Sequence, residues 1–462
     1  MYSYTDKRAM KVDKISWLIF LSILFLGFAL KIKFLFQVSL WPDEALYLYI
    51  ARNLAVDVTN LTDISGKMMY ESPPLLMYLL SFAADIKFIE FDQAARAMIV
   101  LMGMGTVLTT YLIGRKLYHP LVGIIAALLL AICPLSNWVG IRILTDIPVV
   151  FFIYLAIYML VNEKKPVFYL FGLCAVLTKY SAFPILFIPF FMKLKPRVWA
   201  TLYLTGFVTL LAFVMSKNLF PKLDGWVGYF YNFFQLPNVF HMAREIDFFL
   251  GYLLAGFILI GIFLTIREQK YSAVFHWFVV FGISRIFLPW IVFRVSRYTL
   301  PLYPALYIFA AYGCYRGAQL LKLSWPSYSK LVNVSLVLLI AGIVFFNAQK
   351  SLGIMNQTSN SFSGYAQACA FLIKQPSPHS IVTASPRQIK YFAPEFNVHD
   401  IDQRITPDEF RIFIEKEKIE YLSIDSWSPH LPSWCNSFDF QEKGYDLIFN
   451  GQDVRIFKVP KR

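Results

Sequence analysis

Charge and cysteine are both scarce in this sequence. Of 462 residues only 16% are charged and five are cysteine, against 58% hydrophobic and 18% aromatic. So little charge among so many apolar residues cannot solubilise a domain of this length. The apolar runs are long enough to cross a bilayer, and the chain reads as a polytopic α-helical membrane protein. Metal signatures are missing as well. Cys133, Cys174 and Cys314 lie in apolar runs, none of the five cysteines has ligand spacing, and His379, His399 and His430 show no HExxH-like pattern. No metal or other cofactor is expected from these residues. Cys369 and Cys435 share the polar tail, as a disulfide if the tail is extracytoplasmic or as two buried thiols. No small-residue cleavage site follows the first apolar run, which therefore reads as a retained span. The region 41–78 is not repeated elsewhere.

The formal charge of +14 invites a nucleic-acid partner. Yet the last 112 residues hold 12 basic and 13 acidic groups, leaving 31 against 16 in residues 1–350. That excess falls in short clusters between apolar runs, as the positive-inside bias places it. The expected partner is the lipid bilayer and not nucleic acid.

Lys7, Arg8, Lys11 and Lys14 precede a first span at about 16–38, which puts the N-terminus in the cytoplasm and residues 39–92 outside. Spans at about 93–114, 119–137, 147–161, 198–219, 248–266, 272–292, 299–318 and 329–348 follow. Residues 166–192 are flanked at both ends by basic, cytoplasmic clusters, so they must go out and return as a hairpin. Its arms of about 13 residues reach only about 20 Å each. The total is eleven crossings, with Lys179 at the hairpin tip and the C-terminus outside. The expected domains are a transmembrane domain, 1–350, whose external catalytic loop is 39–92, and a small extracytoplasmic α/β domain, 351–462. In the latter, strands are expected at Ser380–Ala384, Glu420–Asp425 and Asp453–Val459. Thr406-Pro-Asp-Glu409 is a capping box opening a helix to about Lys418.

The chemistry is sought at the outer helix starts. In Trp41–Ala55, WPDEALYLYIARNLA, Pro42 suits a first helical position and Asp43 and Glu44 fall in the first turn, where the helix dipole favours anions. They are a catalytic pair or plain helix caps. Asp146 begins the span at 147–161, as a second acid or as a cap with Arg142. Lys179 either binds phosphate or snorkels to the headgroups, and Arg294 and Arg297 either bind phosphate or mark the membrane boundary. Arg96 is expected to pair with Asp92 one turn away. The loop aromatics Trp226, Tyr229 and Tyr231, near His241 and Arg244, read as an interfacial belt. Two acids at helix starts with cations on the same side suit sugar transfer from a lipid-phosphate carrier. A carboxylate takes the acceptor's proton and cations hold the leaving phosphate. The alternatives are a non-catalytic flippase or transporter of lipid-linked glycans, and a structural subunit of a glycan complex.

Pro42-Asp43-Glu44 with Ala51-Arg52-Asn53, Pro73-Pro74-Leu75, Arg142 four residues before Asp146, Leu177-Thr178-Lys179 and the run Arg297-Tyr298 to Pro304-Ala305 together resemble the GT-C glycosyltransferase superfamily. Over about residues 40–310 the chain is similar to the dolichyl-phosphate-mannose protein mannosyltransferases and the lipid A aminoarabinose transferases. The resemblance implies a hexosyltransferase using a polyprenyl- or dolichyl-phosphate sugar donor, inverting at the anomeric carbon, with a protein, lipid or glycan acceptor. It implies Asp43 as catalytic base or acceptor-orienting group, Glu44 beside it and Asp146 near the acceptor. Lys179, Arg294, Arg297 and Tyr298 are inferred at the donor phosphate. The expected protein is multi-pass, in the plasma membrane, with its active site on the extracytoplasmic face. Two departures from the aminoarabinose transferases remove positive charge near Asp43: Glu71-Ser72 precede Pro73 in place of a lysine, and Leu46 replaces an arginine.

Overall fold

The computed structural model describes residues 14–69, 73–86, 88–195, 198, 201–202, 205, 251–287, 296–375, 380–426, 428, 431–436 and 438–460. In chain order its helices are α1 (Lys14–Ile32), α2 (Pro42–Val56), α3 (Leu75–Ser81), α4 (Phe91–Leu117), α5 (Pro120–Ala131), α6 (Pro134–Gly140), α7 (Asp146–Val161), α8 (Lys165–Thr178), α9 (Ile188–Phe191), α10 (Tyr252–Arg267), α11 (Ala273–Phe287), α12 (Tyr303–Ser324) and α13 (Ser329–Ser359). Then come α14 (Gly364–Leu372), β1 (Ser380–Thr383), α15 (Pro386–Phe392), β2 (Asn397–Asp400), α16 (Pro407–Lys416), β3 (Tyr421–Asp425), β4 (Asp446–Asn450) and β5 (Val454–Lys458).

Among the described residues, Ile15–Leu35, Phe91–Leu117 and Pro326–Leu372 are long and apolar enough to cross a membrane. The pair α5 and α6, bent by 57°, makes a fourth if it is one span. Shorter apolar helices include Asp146–Val161, Lys165–Thr178 and Leu253–Arg267. On α13 the side chains of Leu331, Val334, Val337, Leu338, Phe345 and Phe346 are all exposed. An apolar face of that extent needs lipid around it, as in an integral membrane protein. The span expected at 198–219 lies almost wholly outside the described residues, as does the end of the one at 272–292.

The chain divides into two compact units. One comprises Met1–Ile32, Ile99–Gly140 and Thr145–Ile354; the other comprises Lys33–Met98, Ile141–Leu144 and Met355–Arg462. The loop carrying Asp43 thus groups with the tail.

In the first unit, helices approach closely where glycine allows it. A methyl group on Gly261 of α10 would collide with the Phe309 carbonyl of α12, and one on Gly313 of α12 with the Phe257 carbonyl of α10. Backbone contact of this kind holds helices together where lipid removes the hydrophobic drive. A polar bolt lies at the α5–α6 bend. Buried Lys31 donates to the Gly27 carbonyl (3.1 Å) and to Asn137 Oδ1 (2.5 Å). Asn137 donates to Ser351 Oγ (3.1 Å), which donates to the Ile132 carbonyl (2.8 Å). These bonds satisfy the polar groups that would otherwise be stranded in an apolar interior.

In the second unit, five strands form one sheet in the order β2-β1-β3-β5-β4. β2, β1 and β3 are parallel, and β5 runs antiparallel to both β3 and β4. Alternation at period two sorts the core onto two faces. Val382, Leu422 and Phe457 pack with Phe410 and Ile414 of α16. Ile381, Tyr421 and Ile456 pack with Tyr365 and Cys369 of α14 and Ile389 of α15. Cys369 and Cys435 belong to opposite faces and both are free, so they are buried thiols and not a disulfide. Burial pushes the Cys435 thiol up to about 12.

Candidate active site

In the second unit the helix start at α2 separates its two acids. Pro42 takes the first helical position and supplies no N–H where none is needed. Glu44, wholly buried, accepts from the Trp41 N–H (2.8 Å), from the Ile143 N–H (2.7 Å) and from Arg142 Nη1 (3.2 Å). Arg142, also wholly buried, donates to the Ser39 carbonyl (2.6 Å) and the Thr358 carbonyl and lies 4.4 Å from the Trp41 ring centre. Both Glu44 oxygens are therefore engaged by the fold. Glu44 is thus a capping and ion-pairing group, with Arg142 as its partner. Buried Arg96 meets Asp92 at 3.6 Å, as expected, and also donates to the carbonyls of Ile141 (3.1 Å) and Leu35 (3.0 Å).

Asp43, the next residue back, is 35% exposed, and its Oδ1 accepts from Arg387 Nη1 at 2.7 Å. Arg387 is the second residue of α15, which packs along α2. One turn further on, the Tyr391 ring lies 4.6 Å beneath the Arg52 guanidinium. Burial pushes the Tyr391 hydroxyl up to about 12, with the Arg52 charge opposing it. Nothing in the sequence marks Arg387. It sits 344 residues from its partner in a tail with balanced charge, and the short run Pro386–Phe392 lacks a helical apolar stripe to announce its face.

In the first unit, Asp146 opens α7 and is almost fully buried. Lys179 Nζ reaches its Oδ1 at 2.5 Å and Arg297 Nε stands 3.9 Å from its Oδ2. The Tyr298 ring centre lies 4.3 Å from Lys179 Nζ and 5.5 Å from Arg297 Cζ. Local sequence delivers each cation. α8 ends at Thr178 with Lys179 in an extended conformation, and Pro184 and Pro189 keep the returning arm from continuing as a regular α-helix. The segment before α12 is pinned by Tyr154, whose hydroxyl donates to the Pro301 carbonyl (3.0 Å) and accepts from the Ala305 N–H (2.9 Å). Trp277 Nε1 donates to the same carbonyl (3.0 Å). Four of the expected residues, Asp146, Lys179, Arg297 and Tyr298, are thus one cluster in which two cations meet the same carboxylate. Arg294, the fifth cation considered, lies outside the described residues, as do Trp226, Tyr229, Tyr231, His241 and Arg244.

Residues 71–220 match the family model for dolichyl-phosphate-mannose-protein mannosyltransferase. The whole chain superposes on ArnT from Cupriavidus metallidurans in the apo state, with a TM-score of 0.59 at 13% identity, over 96% of this chain and 98% of that one. The same protein bound to undecaprenyl phosphate gives 0.58 at 13% identity, over 96% and 97%. The chain has the GT-C fold. The archaeal oligosaccharyltransferase AglB from Archaeoglobus fulgidus in complex with an inhibitory peptide and a dolichol-phosphate also superposes, with a TM-score of 0.60 at 13% identity, over 89% of this chain and 69% of that one. No curated protein matches the chain in sequence. The resemblance read from the motifs is borne out as GT-C, and the matched architecture extends well beyond residues 40–310 to take in the tail.

Proposed function

We propose that the protein transfers a sugar from a polyprenyl- or dolichyl-phosphate-linked donor to an extracytoplasmic acceptor, with Asp43 as the general base. The acceptor class is a protein hydroxyl, a lipid or a lipid-linked glycan. In the reaction the acceptor oxygen forms a bond to the anomeric carbon as the bond from that carbon to the phosphate oxygen breaks. The electron pair leaves with the phosphate and the acceptor's proton passes to Asp43. Lys179 and Arg297 hold the phosphate as its charge grows, with Tyr298 packed against both, and buried Asp146 sets the two cations in place. An ionised phosphate is a fair leaving group, so these cations suffice to stabilise it. The resemblance implies hexosyl transfer with inversion, and the proposed site is the outer face of the plasma membrane.

The observation that carries this reading is the division of labour at the start of α2. In a GT-C fold running the length of the chain, Glu44 is consumed by the structure while Asp43 stays accessible and is held by a cation. The solved relatives add support, since one was determined with undecaprenyl phosphate and another with a dolichol-phosphate. The test is transfer from radiolabelled polyprenyl-phosphate sugars to membrane acceptors, comparing wild type with Asp43→Asn at matched expression. Loss of transfer with donor binding retained is expected. Equal transfer by the two proteins would remove Asp43 from the mechanism.

A further inference from the structure

We infer that the tail contributes a residue to the reaction: Arg387 is a positioning residue that fixes the Asp43 carboxylate for proton transfer. The inference rests on the glycosyltransferase reading above and adds to it a part played by residues 380–392.

Asp43 occupies the first turn of α2, where its side chain projects from the helix end and is 35% exposed. A base must lie within hydrogen-bond reach of the proton it takes. Arg387 constrains the Asp43 carboxylate through its 2.7 Å bond to Oδ1. The root of Arg387 is itself immobilised. At the end of β1, Thr383 Oγ1 accepts from the Ser385 N–H (3.1 Å), and Ser385 Oγ donates to Asp425 Oδ2 (2.9 Å) at the end of β3. The same oxygen accepts from the Tyr365 hydroxyl (2.6 Å), and Asp425 Oδ1 accepts from the Ser428 N–H (2.5 Å). Pro386 then fixes φ at the first position of α15, and the fully buried Gln388 follows Arg387 directly. The stacking of Tyr391 under Arg52 holds the far end of α15 on α2.

The turn that carries Arg387 thus leaves the carboxyl edge of parallel strands β1 and β3. Open α/β sheets present their functional contacts at that edge. A surface salt bridge between two mobile side chains needs no such support. A locked turn and a buried polar network are what hold a carboxylate to a defined geometry.

The test uses the full-length protein reconstituted in bilayer nanodiscs and the radiolabelled donor that wild type turns over. Variants are Arg387→Gln, Arg387→Lys, Asp43→Asn, the double variant Asp43→Asn/Arg387→Gln, and Tyr391→Leu as a docking control. Arg387→Gln should lower kcat by about 10- to 100-fold, the range for losing a partner that orients a reacting group. Donor KM should stay within about twofold, since the pair acts on the chemical step and not on donor binding. Arg387→Lys should recover most of the loss by restoring the charge. The double variant should be no slower than Asp43→Asn, because Arg387 acts only through Asp43.

Arg387→Gln at the wild-type rate, with Asp43→Asn inactive, overturns this inference and leaves the transferase reading standing. An equal loss in Tyr391→Leu also overturns it, by showing that docking of α15 and not the ion pair is what matters. Wild type inactive with every donor overturns the transferase reading and this inference together.

Discussion

Adjacent acids in one helical turn have opposite fates because their surroundings differ, not their chemistry. Glu44 is removed from water and balanced by Arg142, an ion pair of two wholly buried side chains. Breaking such a pair strands a charge. Glu44→Gln is therefore expected to destabilise the protein by about 3–5 kcal/mol, the range for removing one partner of a buried pair. Asp43→Asn exchanges a part-exposed carboxylate and should leave the thermal midpoint nearly unchanged. Thermal unfolding of both variants in the same detergent checks the contrast, and similar midpoints would show that Glu44 is not structural. The sequence marks the helix start and the first-turn acids through Pro42 and the dipole rule. It does not say which acid is buried, because that depends on Arg142 and Thr358, distant along the chain. Arg387 was illegible for the same reason, its partner being 344 residues away.

Among elements, the strongly patterned ones were legible and the edges were not. The expected strands at 380–384, 420–425 and 453–459 correspond to β1, β3 and β5, the interior of the sheet. The capping box at Thr406 is present with both reciprocal bonds, and its helix ends near the expected Lys418, which adopts a positive φ. The missed strands, β2 and β4, are the two edges. Their sequences, NVHD and DLIFN, end on polar residues that face water, so neither apolar alternation nor a buried run identifies them. The same limit applies to helix crossings in the membrane, where the signal is a glycine whose partner lies on another helix. Gly261 and Gly313 each face the other helix's backbone, so Gly261→Ala should push α10 from α12 and cost about 1–3 kcal/mol, as overpacking of a close contact does. Gly256→Ala, a glycine of the same helix with open space around its Cα, is the matched control. Unfolding of the two variants in detergent micelles should show the loss at Gly261 alone, and equal midpoints would mean that α10 and α12 do not meet at these glycines.

For the whole molecule, hydropathy and charge asymmetry pointed to an integral membrane protein, while its grouping into units depended on contacts that sequence does not display. Residues 33–98 join the tail because α15 packs on α2 and Arg142 bonds to both Ser39 and Thr358. The cluster around Asp146 belongs to the other unit, and the proposed roles give the two groups of residues different kinetic signatures. In the proposed reaction Lys179 and Arg297 offer charge to a phosphate that is already ionised in the bound donor, so their effect is felt in the ground state as well as the transition state. A charge-assisted hydrogen bond is worth about 1.5–3 kcal/mol, so Lys179→Gln should raise donor KM roughly 10- to 100-fold while kcat falls less. Arg297→Gln should behave alike, whereas Asp43→Asn should lower kcat with KM little changed. Initial rates over a range of donor concentrations separate these cases, and a fall in kcat alone for Lys179→Gln would move that lysine from holding the phosphate to assisting its departure.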